Sequence, residues 1–327
     1  MQLVKINQES GIPLIGHIAF GIVVRPNSNL IQVRATTICN MNCIFCSTDA
    51  GPYSKSHQNH YVVDPYYLTE WIKEIVALKG ETHINIDSVG EPTAYQELET
   101  LITEIRKIPQ ISFISMQTNG TLLTKEKILA LEKAGLNRIH LSVHSFSPIL
   151  SKELFGSDKY DIPTIEEIIK VIKKTKIELM FTPVWLPGIN DEDIKIIIQR
   201  GKELNIPIAI QKYEEYKYSR KVKKIKKENY YKFYKQLREW EKEFTIKLIY
   251  KAEDLNVTRA TNLPLVFKIG ERINADIKAP GWMEGQMIAV AKKRCITVVK
   301  CDRKVGDKVN IKIIENKSNI YLAEMTR

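Results

Sequence analysis

The chain has 327 residues, of which 44% are hydrophobic and 27% charged, and carries a formal net charge of +11. That hydrophobic share is ample for a buried core, and the length suggests two domains or one large domain with an appendage. No apolar run reaches the ~18 residues of a membrane span, and Met1-Gln2-Leu3-Val4-Lys5 lacks the basic-then-apolar layout of a signal peptide. The charge is segregated: residues 1–210 sum to −2, residues 211–251 to +8 and residues 255–327 to +7.

Residues 1–29 read as an extension ahead of the first strand-like run, Leu30–Ala35. That run leads into Thr37-Ile38-Cys39-Asn40-Met41-Asn42-Cys43-Ile44-Phe45-Cys46, with cysteines spaced C-x3-C-x2-C. Three thiolates on one short loop can hold three irons of a 4Fe-4S cluster and leave the fourth iron open to a small molecule. A zinc site is the rival, but it wants four ligands, usually from paired C-x2-C units. One such pair exists here, and His57 or His60 would have to complete it. Inert core cysteines fit poorly with three in eight residues among polar neighbours. Five cysteines with three clustered suit a reducing cytoplasm better than a secreted disulfide framework.

Helix-like and strand-like segments then alternate. Tyr67–Leu78 has helical apolar spacing, and His83–Ser88 is a strand followed by Gly90-Glu91-Pro92. Leu98–Ile105 is helical, and Ser112–Gln117 is a strand ending in Thr118-Asn119-Gly120. Lys125–Ala134 is a helix capped by Gly135, and Arg138–Val143 is the next strand. Thr164–Lys174 is a helix with Pro163 at its start, Glu178–Val184 a strand, Asp191–Leu204 a helix and Pro207–Gln211 a sixth strand. Six β/α units imply a parallel sheet covered by helices, with chemistry at the carboxyl ends of the strands. The expected class is α/β: a partial (β/α)6 barrel of TIM type.

The cysteine loop, with Phe45 just before its third cysteine, resembles the signature loop of the radical S-adenosylmethionine (SAM) enzymes. Gly90-Glu91-Pro92 resembles their GGEP turn, with Val89 in place of the first glycine. The resemblance implies that Cys39, Cys43 and Cys46 bind a 4Fe-4S cluster and that SAM chelates the open iron. An electron from the cluster then yields a 5′-deoxyadenosyl radical. It also implies SAM contacts at Phe45, Gly90, Glu91, Asn119, Ser142, His144, Val184 and Leu186. It covers about residues 30–215.

After Gln211 the composition becomes basic and tyrosine-rich. Tyr216, Tyr218, Arg220, Lys221, Lys223 and Lys224 follow the sixth strand and are expected to contact RNA. Residues 229–243 look helical, with Tyr230, Phe233, Tyr234, Leu237 and Trp240 on a face read as core packing. Leu265–Ile269, Gln286–Val290, Cys295–Val299, Val309–Ile314 and Ile320–Ala323 read as five short strands of a small barrel of the oligonucleotide-binding type. The run from Gly306 to Ala323 resembles the TRAM domain of tRNA-modifying enzymes; a barrel that only braces the first domain is the plainer alternative. Cys295 and Cys301, about 20 Å apart on one extended strand, are read either as core residues or as catalytic thiols.

The expected domains are thus an extension (1–29), a radical SAM core (30–254) whose basic segment is 212–254, and a TRAM-like module (255–327). The expected function is a cytoplasmic radical SAM transferase that modifies RNA, tRNA in particular, with methylation favoured. Residues 1–29 hold no cysteine for a second cluster, which argues against methylthiolation. Its expected partners are RNA and an electron donor of ferredoxin or flavodoxin type, with no membrane. The alternatives are a radical SAM enzyme acting on a protein or small molecule, and a non-catalytic zinc-containing RNA-binding protein.

Overall fold

The computed structural model describes residues 2–223 and 225–326. The first elements are β1 (Gln2–Ile6), β2 (Gly21–Val24), β3 (Leu30–Arg34), β4 (Asn59–Val63), α1 (Pro65–Lys79), β5 (Thr82–Ile86) and α2 (Leu98–Arg106). Then come β6 (Ile111–Thr118), α3 (Lys125–Ala134), β7 (Arg138–Leu141), α4 (Pro148–Phe155), α5 (Ile162–Ile172), β8 (Glu178–Phe181), β9 (Val184–Trp185), α6 (Asp191–Leu204), β10 (Gln211–Lys212) and α7 (Tyr230–Phe244). The chain ends with β11 (Arg272–Pro280), β12 (Gln286–Ala291), β13 (Arg294–Val299), β14 (Lys308–Glu315) and β15 (Leu322–Met325). Among the described residues no helix is long and apolar enough to cross a membrane.

Local chemistry sets the helix ends. Asp64 and Asp161 accept hydrogen bonds from the third residue onward and cap α1 and α5, each with a proline in the first turn. Gly135 closes α3 at φ 102°, where a side chain would be strained. The main sheet has the order β2-β3-β5-β6-β7-β8. β3 and β5 pair in parallel, as do β6, β7 and β8, and the edge strand β2 is antiparallel to β3. This is an α/β core of partial TIM type.

The expected sixth strand is present only as a broken ladder. Phe181 N–H donates to Pro207 O, Ala209 N–H to Phe181 O and Gln211 N–H to Pro183 O. Pro183 and Pro207 have no N–H to give, so the pairing splits into an isolated bridge and the two-residue pair β9–β10. The helix α4 was not expected; its eight residues are short, and Ser147 caps it.

The chain divides into two compact units. The first comprises Met1–Cys39, Ser54–Ile114 and Val257–Arg327; the second comprises Asn40–Tyr53 and Ser115–Asn256. In the first unit, β11-β12-β13-β15-β14 form a closed barrel. β11, β12 and β13 are antiparallel neighbours, β14 returns beside β11, and β15 closes the gap, parallel to β13. That order is a Greek key. The barrel's first strand is Arg272–Pro280, not Leu265–Ile269. Its inward residues Ala275, Ile277 and Ala279 are small or interleaved with charge, which weakened the pattern, whereas Phe267 enters the barrel core as a plug from a loop.

The barrel is fastened to the N-terminal segment of the same unit by backbone groups. Cys295 N–H donates to Ile15 O at 2.8 Å and Tyr321 N–H to Gly16 O at 2.9 Å. Gln58 N–H donates to Trp282 O, Asn59 Nδ2 to Gly281 O, and the buried Tyr61 hydroxyl to Pro280 O. Gly16 has φ +124°, and a Cβ there would overlap the Cys295 carbonyl. Gly16→Ala should therefore cost about 3 kcal/mol or more of stability. Gly11→Ala, left-handed but with nothing within 4 Å, should cost only about 1 kcal/mol. Urea unfolding of both variants checks this, and equal costs would contradict the tight docking at Gly16.

Candidate metal and cofactor site

In the first unit, the segment before Cys39 is zipped to the turn after β5. Ser88 Oγ bonds Thr36 O, Gly90 N–H donates to Ser88 Oγ at 2.8 Å, and Glu91 N–H donates to Ile38 O at 2.8 Å. A Cβ on Gly90 would overlap the carbonyl oxygens of Thr37 and Ile38, so glycine is required here by close backbone approach. Glu91 is buried, and its Oε1 accepts from Thr93 N–H at 2.9 Å and Thr93 Oγ1 at 2.6 Å. Below this turn Asp87 receives Arg34 Nε at 2.9 Å and Gln32 Nε2 at 2.5 Å. These strand-end polar residues were not singled out in the sequence.

In the second unit, Cys43 lies between two backbone anchors to the end of α4: Asn42 N–H to Phe155 O at 2.9 Å and Ile44 N–H to Leu154 O at 3.0 Å. Cys46 N–H closes a turn on Cys43 O, and Cys46 Sγ lies 3.3 Å from the Ala50 nitrogen and 3.4 Å from Thr48 Oγ1. Asn40 is held through its side chain by Asn119 and Thr121. Asn119 is thereby placed beside the residue that follows Cys39. Ser142 N–H bonds Thr118 O, and Gln117 Nε2 reaches Ser142 Oγ at 3.4 Å.

His144 is fully enclosed. Its ring meets Phe45 edge-on at 4.7 Å, and its Nδ1 accepts Val184 N–H at 3.0 Å. Burial lowers its pKa to about 3, so it is neutral. The buried Asn190 ties this corner together: Nδ2 donates to His144 O and Val184 O, and Oδ1 accepts Leu186 N–H. Phe45 and Leu186 are themselves buried with Leu154 and Tyr213 in one apolar cluster.

The remaining expected residues fall elsewhere. Tyr216 and Tyr218 are exposed, as are Lys221 and Lys223; Lys224 lies outside the described residues. Arg220, expected on the RNA surface, is instead turned onto the cysteine loop, where its side chain is only 17% exposed. Cys295 and Cys301 are both buried free thiols. Cys301 packs inside the barrel core, and Cys295 is enclosed on β13, where burial raises its thiol pKa.

A family model for the radical SAM superfamily matches residues 33–200. The chain belongs to that superfamily. An uncharacterized protein of Methanocaldococcus jannaschii is 38% identical over 96% of this chain and 79% of its own length. The GTP 3′,8-cyclase of Aquifex aeolicus is 29% identical, and the match covers 56% of each protein. The chain thus spans about half the length of the cyclases it matches. Among solved structures, native anSMEcpe with bound AdoMet covers 80% of this chain and 73% of its own, at 19% identity and a TM-score of 0.50, which supports the fold. As a radical SAM enzyme, the protein uses a 4Fe-4S cluster and SAM.

The residues fit those cofactors. None of the five cysteines is disulfide-bonded, and the three loop thiols are only half-buried. Among the described residues no three His, Cys, Asp or Glu side chains are already gathered as a metal site. The Tyr160 hydroxyl, enclosed near Cys43, has no hydrogen-bond partner among the described residues, and burial and then Cys43 raise its pKa. A buried hydroxyl of this kind suits a sulfur acceptor. Cys39, Cys43 and Cys46 would hold three irons, and Glu91 would receive the SAM amine. When bound, the cluster supplies the electron that splits the SAM sulfonium bond. The chain's own part is to exclude water around Phe45 and Leu186 and to fix the neutral His144.

Because the folded His144 pKa lies below the unfolded value of about 6.5, its contribution is fully present above pH 6.5. It is lost as pH falls towards 3, by up to about 1.4 kcal/mol per pH unit. The enclosed His17 acts in the same sense. Chemical denaturation of apo-protein from pH 7 to 4 should show a shallower loss for His144→Asn than for the wild type. Equal slopes would mean that His144 titrates normally in the fold.

Proposed function

We propose that this radical SAM enzyme modifies a nucleotide in RNA, tRNA in particular, by methyl transfer to an unactivated carbon. The observation that carries the reading is the +13 net charge of residues 211–327 against −2 in residues 1–210. Exposed Tyr216 and Tyr218 interleave with Lys217, Lys221 and Lys223, and the Lys217 ammonium lies 5.0 Å from the Tyr218 ring centre. Aromatic and basic side chains together suit stacked bases and their phosphates. A Greek-key five-stranded barrel supports the same reading, since oligonucleotide-binding barrels are of this type. Two of its loops are occupied by the N-terminal segment and β4. The exposed basic turns around Lys292–Lys293 and Arg303–Lys304 are what it offers to a phosphate backbone.

Methyl transfer is favoured because SAM itself carries the group. The reading includes a ferredoxin- or flavodoxin-type electron donor and a cytoplasmic setting that keeps the cysteines reduced. A second reading has its own support: the similarity to GTP 3′,8-cyclases suggests a free purine nucleotide as substrate.

Binding of unmodified tRNA measured against salt separates the two. Each neutralised phosphate contributes about −0.7 to −0.9 to the slope of log affinity against log salt. Several engaged lysines should cost roughly tenfold or more in affinity between low and physiological salt. Combined Lys217, Lys221 and Lys223→Glu should flatten that slope while leaving SAM cleavage intact. Salt-independent binding, or consumption of labelled GTP with no effect of tRNA, would overturn the RNA reading.

A further inference from the structure

Among the described residues, the basic segment after β10 contains one cation that does not face solvent. Arg220 Nε donates to Asp49 Oδ1 at 2.7 Å, Nη1 to Cys43 O at 3.1 Å and Nη2 to Ala50 O at 2.6 Å. Its own backbone N–H donates to Cys46 O at 2.9 Å. Four acceptors spread over Cys43–Ala50 are thus gathered by one residue. The segment is fixed on both sides of it: the buried Tyr213 hydroxyl accepts Val222 N–H at 3.1 Å and reaches Arg220 O at 3.4 Å. Tyr213 also packs with Phe45 and Leu154 beside Cys43.

We propose that Arg220 is a positioning residue for the cluster: it straps residues 213–222 across the cysteine loop and holds the backbone that carries Cys43 and Cys46. The loop cannot satisfy its carbonyls through a helix or a strand ladder, and Asp49 sits at φ 56°, a left-handed conformation uncommon outside glycine. A guanidinium fork meets several acceptors at fixed angles, which the point charge of lysine does not. Its positive charge, held at the Cys43 carbonyl, would also raise the potential of a cluster bound on the loop. The proposal rests on the cluster, not on the RNA reading.

The test compares Arg220→Lys, Arg220→Gln and Asp49→Asn in the full chain. The readouts are apo-protein melting temperature, iron per chain after anaerobic reconstitution, lifetime of the brown chromophore in air, and reduction potential. The melting temperature should stay close to wild type in Arg220→Lys. Both arginine variants should hold fewer irons and bleach several-fold faster. Only Arg220→Gln should also lower the potential, because Arg220→Lys keeps the charge. Asp49→Asn should bleach faster too, and adding it to Arg220→Gln should bring little further loss, since the two act on one contact. Wild-type iron content and chromophore lifetime in all three variants would overturn the proposal. So would strictly additive effects of Arg220→Gln and Asp49→Asn.

Discussion

An irregular loop that must present three thiols has to satisfy its backbone without a ladder, and this requirement organises the second unit. Buried peptide groups left unpaired cost about 1–3 kcal/mol each. The end of α4 supplies carbonyls to Asn42 and Ile44, on either side of Cys43. Arg220 supplies donors to the carbonyls of Cys43, Cys46 and Ala50. Gly156 allows the first contact, because a Cβ there would overlap Asn42 O, and Gly51 approaches Met41 O in the same way. The thiols are therefore presented by a loop whose shape comes from its partners more than from its own sequence.

The same logic explains the turn in the first unit. Gly90 lies against the carbonyls of Thr37 and Ile38, so the segment leading to Cys39 and the acidic turn are built as one piece. Glu91 is buried yet oriented by Thr93, which fixes a carboxylate before any ligand arrives. Preorganised polar groups lose little on binding. Within this unit the barrel is docked on the N-terminal segment and β4. Its wall replaces solvent for β4 and for Ile15 and Gly16, which makes the barrel part of the fold and not a freely hung module.

Much of the core was legible because its signals are local. The ends of α3 and α6 follow from apolar period and caps, and the strands β3, β5, β6 and β7 follow from short apolar runs closed by turn residues. The cysteine spacing was readable for the same reason. The errors concern long-range contacts. Arg220 stands in a lysine-rich run and was grouped with it, while the groups it binds lie 170–177 residues earlier. Asn190 likewise bonds His144 O, 46 residues away. β11 carries alanines where a stronger strand signal would have larger side chains, and Phe267 was taken for strand because a hydrophobic plug and a hydrophobic strand look alike over five residues. The split of the sixth strand depends on two prolines 24 residues apart, Pro183 and Pro207, one in each of the paired segments.

The central claim is that three thiolates on one loop leave an iron open to SAM. Its most direct measurement is 5′-deoxyadenosine formed when the anaerobic, reconstituted protein is reduced in the presence of SAM. The wild-type chain should form it, and the variant with Cys39, Cys43 and Cys46 all changed to alanine should form none. No product from a wild-type chain that holds its iron and sulfide, or the same yield from the triple variant, would contradict the account.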